Sequence, residues 1–239
     1  MSLNTVRTTT ELRARLEQMA RGERLPAWGQ ASPALRSGHE ALDALLPGGG
    51  WPLGALTELL SDQCGIGELE LLLPALQALA GRGRSVVWIT PPYVPYAPAL
   101  LQRGLPLERV LWIRTGRPQA ALWAAEQALR CPAIGAVLGW SAHIVDRSLR
   151  RLQLAAETGH TLGVLHRPAS AAREPSPAAL RLQLQPLVDE LGVEIRKSRG
   201  GRAGVRVRVP LHAALRSSLP ACPERLDALA MHPSASAAA

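Results

Sequence analysis

The sequence predicts an α/β fold: a parallel β-sheet flanked by helices, with an antiparallel β extension on its C-terminal side. Two observations carry this. Between residues 55 and 166, short, largely apolar runs alternate with stretches of helical periodicity, and strands apolar on both faces belong in a parallel sheet covered on both sides. After Arg167 the rhythm changes to a period of two, in Leu180-Arg181-Leu182-Gln183-Leu184 and again in Val205-Arg206-Val207-Arg208-Val209, the pattern of half-exposed strands. With 239 residues, 47% of them hydrophobic, one such domain buries a sizeable core. That core has no Phe, so Leu, Ala, Val and six Trp must fill it.

Taken in order, the first element is a helix over 9–19. Thr8-x-x-Glu11 is a capping-box spacing, and Leu12 and Leu16 fall on one face of the helix. The helix belongs to an N-terminal unit, 1–36, and on its own pattern that face packs against its own domain. The unit closes with a linker over 21–36 containing Gly22, Pro26, Gly29 and Pro33. The main domain spans 37–216. Its strands are expected at 55–60, 85–90, 109–113, 134–139 and 161–166, with helices at 68–80, 98–103, 118–130 and 143–158. Trp51, Trp88, Trp112 and Trp140 read as core residues standing in for Phe. A β meander follows within 179–210. It is built from the two period-two segments with 193–197 between them, and Ser198-Arg199-Gly200-Gly201-Arg202 supplies the hairpin turn. Residues 217–239, ending Ser236-Ala237-Ala238-Ala239, are low in complexity and expected to be flexible.

Composition limits the function classes. A net charge of +8 favours acidic partners, nucleic acid foremost. The 26 Arg against one Lys read as genome composition rather than mechanism. No apolar run approaches the roughly 18 residues of a membrane span, and the polar N-terminus lacks a signal-peptide core. Cys64, Cys131 and Cys222 are far apart with no C-x-x-C pair, as suits free thiols in a reducing cytoplasm. The six His are scattered, so neither a metal site nor a cofactor is expected.

The loop between the 55–60 strand and the 68–80 helix stands where phosphate-binding proteins carry G-x-x-x-x-G-K-[ST]. Here it reads Ser61-Asp62-Gln63-Cys64-Gly65-Ile66-Gly67-Glu68. Gly67 replaces the lysine that would hold the β- and γ-phosphates, and Glu68 replaces the metal-binding hydroxyl with a carboxylate. Ser61, Gly65, Gly67 and Glu68 thus outline a degenerate nucleotide loop, in which only backbone N–H groups at the helix start could take an anion. The other candidate surface is basic. Arg196, Lys197, Arg199, Arg202, Arg206 and Arg208 surround one acid, Glu194, and Arg206 and Arg208 share one face of their strand. This ladder is either a phosphate or partner contact or a sheet edge protected by charge. It has none of the interleaved aromatics typical of single-strand binders.

The order of these motifs resembles the RecA core over about 200 residues. Ser37 to Asp43 matches S-G-x-x-x-L-D, and Gly49 to Gly54 matches a G-G-x-P-x-G turn. Trp88-Ile89-Thr90-Pro91, Gly104 to Val110, Val137-Leu138-Gly139-Trp140 and Gly163 to Pro168 are similar to the SulA and ImuA group of SOS-response proteins. The resemblance implies a RecA-like fold for the α/β sheet, and it offers the helix carrying Leu12 and Leu16 as a candidate docking element for RecA or another RecA-like fold, the alternative to packing on its own domain. It also implies a non-enzymatic role, because the slots for the phosphate lysine, the metal-side Ser/Thr, the metal-side Asp and the water-activating Glu hold Gly67, Glu68, Gly139-Trp140 and Pro91-Pro92. Of the two mobile DNA loops of RecA, the first is essentially absent here and the second shrinks to 168–178, with Arg167 and Arg173 its only cations. The longer N-terminus and the basic meander favour the ImuA branch. That branch implies support of translesion synthesis, with an ImuB-type polymerase-like protein, RecA and an error-prone C-family DNA polymerase as partners and DNA as a further candidate. The alternatives are a SulA-type division inhibitor binding FtsZ and a stand-alone basic DNA-binding protein.

Overall fold

A computed structural model describes residues 4–22 and 34–211. Most of the expected linker, residues 212–216 of the main domain, the 217–239 tail and Cys222 lie outside the described residues. The central strands are β4 (Ala55–Leu60), β5 (Ser85–Ile89), β6 (Val110–Ile113), β7 (Ile134–Trp140) and β8 (Leu162–Arg167). Between them run α3 (Glu68–Gly81), α4 (Ala97–Gln102), α5 (Pro118–Arg130) and α6 (Asp146–Gly159). Every expected strand and helix of this region is present, with boundaries shifted by at most three residues. The meander is formed by β9 (Leu180–Pro186), β10 (Glu190–Ser198) and β11 (Arg206–Pro210).

Two features lie beyond the sequence expectation. A short strand β1 (Asn4–Val6) precedes helix α1 (Thr9–Gly22) and pairs in parallel with β6, Val6 opposite Ile113. Ahead of β4, β2 (Ala34–Leu35) and β3 (Trp51–Pro52) make a separate antiparallel pair, and the short helix α2 (Glu40–Asp43) between them falls where the S-G-x-x-x-L-D segment places a helix. The sheet therefore has nine strands in the order β1-β6-β5-β7-β8-β4-β9-β10-β11. It is parallel from β1 through β9, and β10 runs antiparallel to both neighbours.

Period-two side-chain alternation explains why the central strands are apolar on both faces for most of their length. In β5, Val86 and Trp88 enter the core on one face, and Val87 and Ile89 enter the core on the other. The first face is covered by α3 and α4, with Trp51, Trp88 and Trp112 among its residues. The second is covered by α1, α5 and α6. Trp51, Trp88 and Trp112 are buried as expected, whereas Trp140 is half-buried. Helices α5 and α6 approach closely at Gly159, where a Cβ would fall 2.0 Å from the Leu129 carbonyl oxygen. The carboxyl ends of β4, β5, β6, β7 and β8 all open on one edge of the sheet, where parallel α/β folds place their sites.

Candidate functional site

At that edge the chain leaves β4 and enters the degenerate loop. Ser61 N–H donates to the Arg167 carbonyl at 3.0 Å, anchoring the loop's start to β8. Gln63 N–H donates to Ser61 Oγ at 3.1 Å, and Asp62 Oδ1 accepts from Ala169 N–H at 2.9 Å. The decisive contact involves Glu68, the first residue of α3. Its carboxylate turns back over the loop, Oε1 accepting the Gly65 N–H at 2.7 Å and Oε2 the Ile66 N–H at 2.8 Å. Backbone N–H groups at a helix start form an anion site, and here the protein's own carboxylate holds them. Gly67 adopts φ 109°, a left-handed conformation that suits glycine. Leu211 lies directly over it, so a Cβ at Gly67 would sit 2.6 Å from Leu211 Cδ1. Any larger residue there, lysine included, meets both backbone strain and an apolar lid.

Beside the loop, the ends of β7 and β8 carry Trp140 and His166, stacked with centroids 4.6 Å apart and planes 4° from parallel. Burial pushes the His166 pKa down to about 3, so this imidazole is neutral at physiological pH. The end of β5 holds Thr90 at a positive φ of 46°, followed by Pro91 and Pro92. None of these groups supplies a carboxylate to this edge.

A second polar cluster lies deeper, and the sequence reading missed it. Glu58 of β4 is fully buried and accepts from Arg167 Nη1 at 3.0 Å, Arg181 Nε at 2.5 Å and Ser176 Oγ at 3.0 Å. Arg167 reaches on to Glu174 at 2.6 Å, and Arg181 donates to the carbonyls of Ala171 and Glu174. The segment 168–179, including the 3-10 turn Ala169–Arg173, is thus strapped to the sheet. The signal was legible as charges inside apolar runs: Glu58 within Ala55–Leu60, and Arg181 between Leu180 and Leu182. This corrects the assignment of Arg167 as a loop cation: it is buried against Glu58, and only Arg173 of that pair is exposed.

The basic meander is exposed, as expected at Arg206 and Arg208, but it is less basic than its composition. Glu194 accepts from Arg196 at 2.7 Å and from Arg206 at 2.9 Å. These bonds, that from Arg196 first, hold its carboxyl below the usual range. Arg208 faces Glu190 at 3.7 Å, a second acid within the face. Lys197 donates to the Ser176 carbonyl at 2.6 Å and Arg199 to that of Pro177 at 3.3 Å, both toward the strap. Burial, then the neighbouring Arg199 and Arg181, lowers the Lys197 pKa. Arg202, in the turn, is exposed without an acid partner among the described residues. The six cations therefore do not form one free ladder.

Of the two roles open to the Leu12 and Leu16 face, docking a partner or packing on its own domain, the structure has the second. Leu12 and Leu16 are buried in the core on the α5 and α6 face, and the Leu16 carbonyl lies 3.8 Å from Cys131 Sγ. The helix lies on its own domain because β1 holds its start against β6, turning the apolar stripe inward. No helix among the described residues is long and apolar enough to cross a membrane.

Residues 54–163 match the family model described as cell division inhibitor SulA. That range runs from the start of β4 into β8 and excludes β1, α1 and the meander. Cell division inhibitor SulA proteins of Yersinia pestis (strain Pestoides F) and Yersinia pseudotuberculosis (serotype O:1b, strain IP 31758) are each 36% identical over 99 residues, covering 41% of this chain. The chain spans 59% of the length of those relatives. The crystal structure of the RadB recombinase superposes with a TM-score of 0.59 at 16% identity, over 74% of this chain and 96% of that one. The fold is therefore RecA-like, with the antiparallel strands added at its C-terminal side.

Proposed function

We propose that this chain is a non-catalytic adaptor of the bacterial SOS response, ImuA-like, acting in the cytoplasm. It would support damage-induced translesion synthesis through contacts with an ImuB-type polymerase-like protein and RecA, and through them an error-prone C-family polymerase. The Glu68 carboxylate on the Gly65 and Ile66 N–H groups carries the reading. A RecA-like fold whose phosphate loop is occupied by its own side chain offers surfaces rather than turnover. The ImuA branch is supported by what the SulA-like range leaves out. Strand β1, helix α1 and the three-stranded meander are built into the same sheet and core, so the chain has substantial structure on both sides of residues 54–163.

A second reading is a division inhibitor acting on FtsZ, favoured by the similarity of that range to SulA. A stand-alone DNA-binding role finds less support, since Arg196, Arg206 and Arg208 each face an acid. Parallel titrations of the full chain against purified ImuB-type protein, RecA, FtsZ and single-stranded DNA separate the three. Binding to the ImuB-type protein or RecA is expected. Binding to FtsZ alone would replace the adaptor reading with division control, and binding to DNA alone would leave the third.

A further inference from the structure

Seven large apolar side chains are exposed among the described residues, and five of them lie at the carboxyl edge of the sheet: Val94, Tyr96, Val145, Leu187 and Val188. Tyr96 is 68% exposed and Val145 69%, values that leave most of each side chain in water. Because β6, β5 and β7 are adjacent and parallel, the loops that follow them leave from the same edge, on strands spaced about 4.8 Å apart. The β5 loop carries Val94 and Tyr96, and the β7 loop carries Val145 immediately before α6. The same loops expose Arg114 and Arg117 after β6 and Arg147 at the start of α6. None of these three arginines has an acid partner among the described residues. Arg114 lies over its own Trp112 ring at 5.4 Å, and the one carboxylate in these loops, Asp146, is bonded to Arg150 at 2.7 Å.

We propose that this end of the sheet, over β6, β5 and β7, is the protein's partner-docking surface, and that its occupant is an acidic protein segment with an apolar anchor. Exposed apolar groups rimmed by unpaired like charges are the composition of a protein interface. Cationic rims select acidic partners and steer their approach. The net charge of +8 disfavours a second copy of this chain as the occupant. The contrast with the meander supports the choice, because there Arg196, Arg206 and Arg208 already face acids, whereas Arg114, Arg117 and Arg147 face none among the described residues. All three loops fall inside residues 54–163, so the surface belongs to the part of the chain shared with its relatives.

This inference rests on the adaptor reading and locates its partner contact. The test measures binding of the full chain to the ImuB-type protein, RecA and FtsZ by titration at two salt concentrations. Three variants are compared: Tyr96→Ser with Val145→Ser, Arg114→Glu with Arg117→Glu, and Arg206→Ala with Arg208→Ala on the meander. Each replaces exposed groups, and an unchanged melting temperature confirms that folding is intact. The expected result is a loss of about tenfold or more for the first two pairs, a reduced salt dependence for the second, and little change for the third. Loss confined to the meander variant would overturn the surface assignment and leave the adaptor reading standing. A wild-type chain that binds none of the three proteins would overturn both.

Discussion

His166 and Glu58 show how single buried groups shape this fold's response to conditions. His166 stacks on Trp140 and titrates near pH 3 when folded, against about 6.5 for an exposed imidazole. As pH falls below 6.5 the unfolded chain takes up a proton that the folded chain refuses until about pH 3. Stability from this residue is therefore present above pH 6.5 and lost toward pH 3, at about 1.4 kcal/mol per pH unit. Replacing His166→Phe should keep the stack and flatten that part of the profile, as urea unfolding between pH 7 and pH 4 would register; an unchanged slope would assign the acid sensitivity elsewhere. Glu58 carries a different prediction. Glu58→Gln leaves Arg167 and Arg181 as buried cations without their shared carboxylate, at a cost of about 3–5 kcal/mol. Glu174→Gln removes only a half-exposed partner of Arg167 and should cost about 1 kcal/mol or less. Denaturation midpoints of the two variants, compared side by side, check the ranking.

At the scale of elements, the N-terminal helix changes its meaning once its surroundings are known. The stripe of Leu12 and Leu16 was legible in the sequence, but its partner was not, because what turns it inward is β1. Asn4-Thr5-Val6 has no apolar run to announce a strand. It is a strand only through its backbone pairing with β6, including Arg114 N–H to the Val6 carbonyl at 3.0 Å. Leu12→Ala should consequently lower stability by about 2–5 kcal/mol, the cost of a cavity in a packed core, rather than act on partner affinity alone. Thermal melts together with partner titration separate the two outcomes: intact stability with lost binding would return the helix to a docking role. The central strands were legible for the opposite reason. Two-sided burial pushes Ala55–Leu60 and Ile134–Gly139 toward apolar or small residues, Thr57 and Glu58 being the exceptions, and that pattern survives without knowledge of neighbours. The meander lies between these cases. Its alternation was readable, whereas the pairing of Glu194 and Glu190 with Arg206 and Arg208 depends on strand register and was not.

For the whole molecule, the loop after β4 and the strand ends beside it carry residues other than those a G-x-x-x-x-G-K-[ST] site would use, which sets the expectation for restoring that motif. The residue substitutions were visible in the sequence, but their structural consequences were not: Glu68 bends back onto Gly65 and Ile66, and Leu211, brought across from the far end of the meander, covers Gly67. A chain carrying Gly67→Lys and Glu68→Thr regains the motif's cation and hydroxyl. The new lysine then needs a left-handed backbone and must displace Leu211. Phosphoryl transfer further requires a metal-side carboxylate and a group that orients water, where this edge presents Gly139-Trp140 and Pro91-Pro92. The double variant should therefore show no Mg-ATP turnover above background. It should also be less stable than wild type by about 1 kcal/mol, since the half-buried Ile66 N–H loses its acceptor while the exposed Gly65 N–H turns to water. Isothermal titration with Mg-ATP, a phosphate-release assay and a denaturation curve measure all three quantities on one preparation. Micromolar ATP binding by the wild-type chain would remove the adaptor reading's main support, because the Glu68 carboxylate would then have to yield the loop to a nucleotide.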